Sequence, residues 1–177
     1  MNKNSVRRGL AAAAVLGVVG GAAVCGAAAA SAATNDAVQC DADQLSVTLV
    51  HGEPGAGNRF AFLQFTALPG QYCELDGALP FTLAYASGVS VVLDNSNATP
   101  VDLTPGDSAN EQLHWVAVQA EEDQVIPGSL TVQTDGPLGD TVTLPWNQGP
   151  VDDYVSGIVH DNKITVSAVQ AGPAVDN

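Results

Sequence analysis

Residues 59–67 read Arg59-Phe-Ala-Phe-Leu-Gln-Phe-Thr-Ala67, and this run decides the fold class. With a period of two, Phe60 and Phe62 fall on one face and Ala61, Leu63 and Phe65 on the other. A strand that is apolar on both faces is covered from both sides, so it belongs in the middle of a sheet. Just before it, Gln44–Val50 alternates, with Leu45, Val47 and Leu49 on one face and Ser46 and Thr48 on the other. The link between them, His51-Gly-Glu-Pro-Gly-Ala-Gly-Asn58, is made of turn formers and reads as a hairpin connection. Gly55-Ala-Gly57 looks superficially like a phosphate loop, but it leads into a strand and lacks the following Lys-Ser or Lys-Thr.

Working outward, further strands are predicted at Phe81–Ala86, Val89–Asp94, Gln112–Gln119, Ser129–Thr134, Asp140–Leu144 and Lys163–Gln170. Breakers separate them: Asp94-Asn-Ser-Asn97, Pro105-Gly-Asp107, Pro127-Gly128, Asp135-Gly-Pro137 and Gln148-Gly-Pro150. Beyond the leader, no apolar stripe with a 3.6-residue period runs past a turn or two. The pattern predicts an all-β, immunoglobulin-like antiparallel β-sandwich of about eight strands. It spans residues 40–172, with loose tails at 33–39 and 173–177.

The first 32 residues read as a cleaved secretory signal peptide. Lys3, Arg7 and Arg8 form a basic start, Leu10 to Ala23 an apolar run, and Ala30-Ser31-Ala32 an A-x-A-like site, so processing is expected after Ala32 or Ala33. The apolar run is shorter than the roughly 20 residues of a bilayer span and is diluted by Gly17, Gly20 and Gly21. No membrane span is therefore expected after processing. Cys25 follows Ala22-Ala23-Val24, a poor lipobox, and Arg7-Arg8 is a weak match to a twin-arginine signal.

Removing the leader leaves two cysteines, Cys40 and Cys73, and two basic residues, Arg59 and Lys163, against all nineteen acids. The net charge moves from −14 to −17. Such a surface repels phosphate backbones, so nucleic acid is excluded as a partner, as is an anionic membrane face. Solubility outside the cell is the plainer consequence. In an oxidising compartment Cys40 and Cys73 are expected to pair, for roughly 3–4 kcal/mol. Free thiols, or half of a metal site, are the alternatives, although neither cysteine has a histidine nearby in sequence.

Catalytic residues are not found. His51, His114 and His160 sit in no recognisable spacing with a nucleophile or paired carboxylates, and Ser87 and Ser90 lack a nucleophile elbow. Acidic runs at 94–97, 121–123, 152–153 and 161–162 lack the EF-hand pattern and read as solvated loops, so no metal or cofactor is assigned. Asn97-Ala98-Thr99 is a formal glycosylation sequon followed by Pro100, and is read as chance. Trp115 lies within a strand pattern and reads as core. Trp146, beside Pro145 at a strand end, is the candidate ligand surface.

Three stretches resemble the actinobacterial domain of unknown function 4232 family. They are Cys40-x-x-x-x-Leu45-x-Val47, then Gly57-Asn58-Arg59 through Phe65-Thr66 to Cys73-Glu-Leu-Asp-Gly77 and Pro80, and finally Leu103-Thr-Pro-Gly-Asp-Ser-Ala109 leading to Leu113 and Trp115. The resemblance spans about Cys40 to Gly172. The chain departs from the family pattern at Ala67, where Asn is common, and at Gly77-Ala-Leu-Pro80, where Gly-Tyr-Pro is common. It also lacks the second cysteine pair of some members, so it reads as a divergent member. The resemblance implies an exported sandwich and no particular reaction. The expected function is a non-enzymatic, acidic, secreted protein, free or associated with the cell wall, with a structural or interaction role toward a cell-envelope or extracellular protein. A carbohydrate- or calcium-binding module is the alternative, and an exported hydrolase a third reading.

Overall fold

The first two strands form a hairpin. β1 (Leu45–His51) pairs antiparallel with β2 (Asn58–Ala67), from Leu45 opposite Ala67 to His51 opposite Ala61. The link closes through a bridge between Gly55 and Asn58, with Ala56 and Gly57 at positive φ. A computed structural model describes residues 38–136, 138–155 and 162–175. The expected processing site at Ala32 or Ala33, together with Cys25 and His160, lies outside these residues.

β2 is central, as its two apolar faces require. Its other neighbour is β7 (Ser108–Val116), in register from Asn58 opposite Val116 to Thr66 opposite Ser108. β7 pairs in turn with β12 (Lys163–Ser167) and, near its start, with β13 (Gln170–Ala171). β5 (Ser90–Asp94) closes the far side of this sheet. A second sheet has β9 (Ser129–Gln133) between β10 (Thr141–Pro145) and β4 (Phe81–Leu83). Two ribbons complete the molecule: β3 (Cys73–Leu75) with β6 (Val101–Leu103), and β8 (Gln124–Val125) with β11 (Val151–Asp152).

The two larger sheets form a sandwich around one core. Ala61, Leu63 and Phe65 of β2, Leu113 and Trp115 of β7, and Ile164 and Val166 of β12 pack with Phe81, Leu130 and Val132 of the second sheet. Leu63, Phe65 and Leu113 have no exposed surface, so each contributes roughly 1.5–3 kcal/mol.

The expected strands recur with four corrections. β12 and β5 run parallel, Lys163 opposite Ser90 through Ser167 opposite Asp94, so the sandwich is not purely antiparallel. β7 starts at Ser108, because Ser108–Glu111 completes the ladder with β2, and it ends at Val116. Five unpredicted strands, β3, β6, β8, β11 and β13, are two or three residues long, below the length at which alternation can be read from a sequence, and the predicted Phe81–Ala86 is a strand only over Phe81–Leu83. The described parts of the tails are tied down. Val38 and Cys40 exchange backbone hydrogen bonds with Glu74, while Gly172 donates to the Ser108 carbonyl and Ala174 to Gln64 Oε1.

Candidate functional site

Register fixes which residues share an end of the sandwich. β2 runs from Asn58 to Ala67, β7 returns beside it, and β12 places Ile164 opposite Trp115. The first end therefore gathers the start of β2, the end of β7 and the start of β12. The second end gathers Ala67, Asp107 and Cys73: Gly106 donates to the Ala67 carbonyl, Ala67 donates to Asp107, and Cys73 lies opposite Leu103.

At the first end, the predicted ligand surface is absent. Trp146 is only 7% exposed; its ring packs on Trp115 with centroids 5.3 Å apart, and its indole N–H donates to the Gly149 carbonyl. Trp115 is buried as expected and donates to the Pro150 carbonyl. A tryptophan used up on core packing has no free face for a sugar, so Trp146 is withdrawn as a stacking platform. The strand-end position that suggested exposure is covered by the 147–150 turn.

The acidic run at 152–153 is also misread as a solvated loop. Asp152 is 1% exposed, and its carboxylate accepts from the backbone N–H groups of Val118 and Gln119 and from Gln124 Nε2. These bonds draw the chain away just past the end of β7: Ala117 still donates to the Gly57 carbonyl, and the amides of Val118 and Gln119 then turn to a side chain instead of a strand. Arg59 and Lys163, the two basic residues after position 32, belong to this end, and Arg59 Nη1 donates to the Asn58 carbonyl. Tyr85 is 89% exposed with φ +62°, and its ring lies over Gly128, where a Cβ would come within 2.7 Å of it.

The described histidines do not assemble a catalytic group. His51 ends β1 and is exposed. His114 lies on the outer face of β7, stacked on Phe60 at 4.8 Å, with Nε2 2.7 Å from Asn58 Oδ1. Among the described residues, no three His, Cys, Asp or Glu side chains are grouped so as to hold a metal ion. Asp94 and Asp107 cap their own turns: Ser96 and Thr104 each donate a hydroxyl and a backbone N–H, holding both carboxyls below the usual carboxylate range.

One buried acid was not singled out from sequence. Glu111, in the middle of β7, has no exposed surface. Its Oε1 accepts from the Leu79 backbone N–H at 2.5 Å, while Oε2 is buried with no partner among the described residues. Burial pushes its carboxyl up to about 8; the Leu79 bond opposes this and the negative charge of Asp135 adds to it. In sequence it reads as one more acid of an acidic protein.

The second end carries an open, largely apolar cleft. Cys40 and Cys73 are joined there in a disulfide, as expected, across 33 residues. Residues 38–40 run alongside β3, and β3 pairs with β6, so the bridge joins two neighbouring tracks of a small three-track ribbon just ahead of β1. Cys73, Leu75, Val101 and Leu103 point inward and are buried, which turns Glu74 and Asp102 outward. A cleft of about 320 Å³ lies on this ribbon, lined by Val38, Tyr72, Cys73, Asp102, Leu103 and Thr104. Val38 is 56% and Tyr72 68% exposed.

Glu74 and Asp102 stand directly opposite each other in the β3–β6 register. Such pairs place their Cβ atoms about 4.5–5.5 Å apart, and like charges there repel. Gln39 Nε2 donates to Glu74 Oε1 at 2.8 Å, whereas the exposed Asp102 meets no donor among the described residues. Neither Cys73–Leu75 nor Val101–Leu103 was singled out as a strand from sequence, and the pairing of their outward acids comes from the register alone.

A family model described as a domain of unknown function (DUF4232) matches residues 40–170. No curated protein and no solved structure matches the chain.

Proposed function

The chain belongs to the domain of unknown function family DUF4232, and from that premise we propose that it is an exported, non-enzymatic interaction protein. It acts outside the cell or at the cell envelope, through the cleft beside its disulfide. The observation that carries this reading is the exposure of Val38 and Tyr72 on a ribbon whose other apolar residues are buried. Large apolar side chains grouped at the mouth of a cleft mark a contact surface more often than scattered single ones do. The leader and the Cys40–Cys73 bridge support export, since disulfides persist in oxidising compartments. Among the described residues, no helix is long and apolar enough to cross a membrane.

The test is capture from native culture supernatant and cell-wall extract with the secreted protein as bait. Tyr72→Ser and Val38→Ser are expected to lose captured partners that Tyr85→Ser retains. Equal capture by all variants would remove the cleft as the contact surface. An intact mass showing cleavage after Ala32 or Ala33 checks export, and retention of the leader would overturn it.

A further inference from the structure

We infer that the cleft beside the disulfide takes an extended, Lys- or Arg-bearing segment of a partner protein, whose cationic head group bridges Glu74 and Asp102. The inference deepens the reading of this cleft as a contact surface and rests on it.

On this ribbon negative charge is placed against itself. Two carboxylates face each other across β3 and β6 with one amide, from Gln39, to moderate them. Among the described residues, no Lys or Arg lies at this end. Arg59 lies eight residues back along β2 from Ala67, about 26 Å at a rise near 3.3 Å per residue. Lys163 shares the Arg59 end through the β2–β7–β12 register. At physiological ionic strength charges are screened over about 8 Å, so neither basic residue offsets the pair. Asp43, Asp76 and Asp107 add exposed carboxylates to the same end of the chain's fold.

The apolar walls fit the rest of a basic side chain. Lys and Arg lay their methylene stems along apolar surface while the head stays polar. Tyr72 and Val38 supply such a surface next to Asp102, and the tyrosine ring can also receive a cation on its face. Along the other flank of β6, a second groove of about 460 Å³ is lined by Val101–Leu103, Gly106–Ser108 and Ala171–Pro173. Among the described residues β6 pairs with β3 alone, so an extended segment has an open flank to follow. A second copy of this chain is a poor occupant: each copy carries a net charge of −14 or lower and would bring more negative charge to the pair.

The probe is a synthetic peptide alternating Lys and Val, titrated into the secreted protein, with the Glu-Val peptide of equal length as counterpart. Backbone amide shifts are expected at Val38, Tyr72, Glu74 and Asp102, with affinity falling as salt rises. The double variant Glu74→Gln/Asp102→Asn should lose about tenfold or more in affinity while melting no lower than the parent. The double variant Glu121→Gln/Glu122→Gln, which removes the same charge at the opposite end, should lose less than about twofold. Equal losses in the two variants would reduce the effect to bulk attraction and overturn the inference, as would binding of the Glu-Val peptide or shifts centred elsewhere. If the Lys-Val peptide fails while Tyr72→Ser still loses captured partners, the partner chemistry is wrong and the contact surface stands. If Tyr72→Ser loses nothing, the surface itself is wrong.

Discussion

The two ends of the sandwich treat their carboxylates in opposite ways. At one end Asp152 is buried and takes up the N–H groups of Val118 and Gln119 and the side chain of Gln124. At the other, Glu74 and Asp102 are set side by side on the outside of a ribbon, with Gln39 as their single side-chain donor among the described residues. A carboxylate whose hydrogen bonds are all made inside the chain is a structural part: it folds a loop and has nothing left to offer. A carboxylate that faces its like across two strands costs stability and keeps its acceptors open. The difference separates the acids that build this protein from those free to meet another molecule.

The largest effect should come from breaking the structural side. Asp152→Ala leaves the Val118 and Gln119 backbone amides without their acceptor, while Gln124 Nε2 keeps only the Gln119 carbonyl, and should cost about 3–5 kcal/mol. The denaturation midpoint reports the loss, and faster hydrogen exchange at Val118 and Gln119 locates it.

Next is the staple that presents the open side. Replacing Cys40 and Cys73 by Ala should cost roughly 3–4 kcal/mol in thermal or denaturant unfolding. It should also broaden the amide signals of β3 and β6 before those of β2 and β7. Uniform broadening across the sandwich would show that the ribbon is not held separately.

Glu111 tests the comparison from the middle, as a buried carboxyl with one donor where Asp152 has several. Its folded-state value, about 8, lies above the ordinary 4.5. Between those values the native protein holds a proton that the unfolded chain has released. The stability this proton confers is complete below about 4.5 and is lost as pH rises toward 8. Glu111→Gln cannot ionise, so relative to it the parent should weaken by about 2 kcal/mol from pH 6 to pH 8. Parallel stability–pH curves for the two proteins would refute this.

The smallest effect is expected where the chain carries its own repulsion. Asp102→Asn should leave stability unchanged or raise it by up to about 0.5 kcal/mol, because it removes a like-charge pair. A clear loss of melting temperature would mean that Asp102 is structural after all, and the contrast between the ends would disappear.

Much of the fold was legible in particular residues. The two-faced run Phe60–Phe65 announced a central strand, and β2 lies between β1 and β7. Cys40 and Cys73 announced their bridge, because reading residues 1–32 as a leader leaves two cysteines and one pairing within the chain. The candidate site was barely legible. Tyr72, Glu74 and Asp102 sit on or beside strands of three residues, too short for a period to be read, and Val38 lies in a stretch that looked like a loose tail. Trp146 misled because a strand-end aromatic beside proline reads the same whether a turn covers it or water does.

The sequence by itself determined the β class, the hairpin, the staple and the acidic charge, because alternation, turn residues, cysteine number and ionisable groups are local or additive properties. Tertiary structure alone decided which acid is buried, which is paired with its like, and on which end each lies. Those outcomes depend on register between strands far apart in the chain. Glu74 and Asp102 are 28 positions apart in the numbering, and only the β3–β6 ladder makes them neighbours.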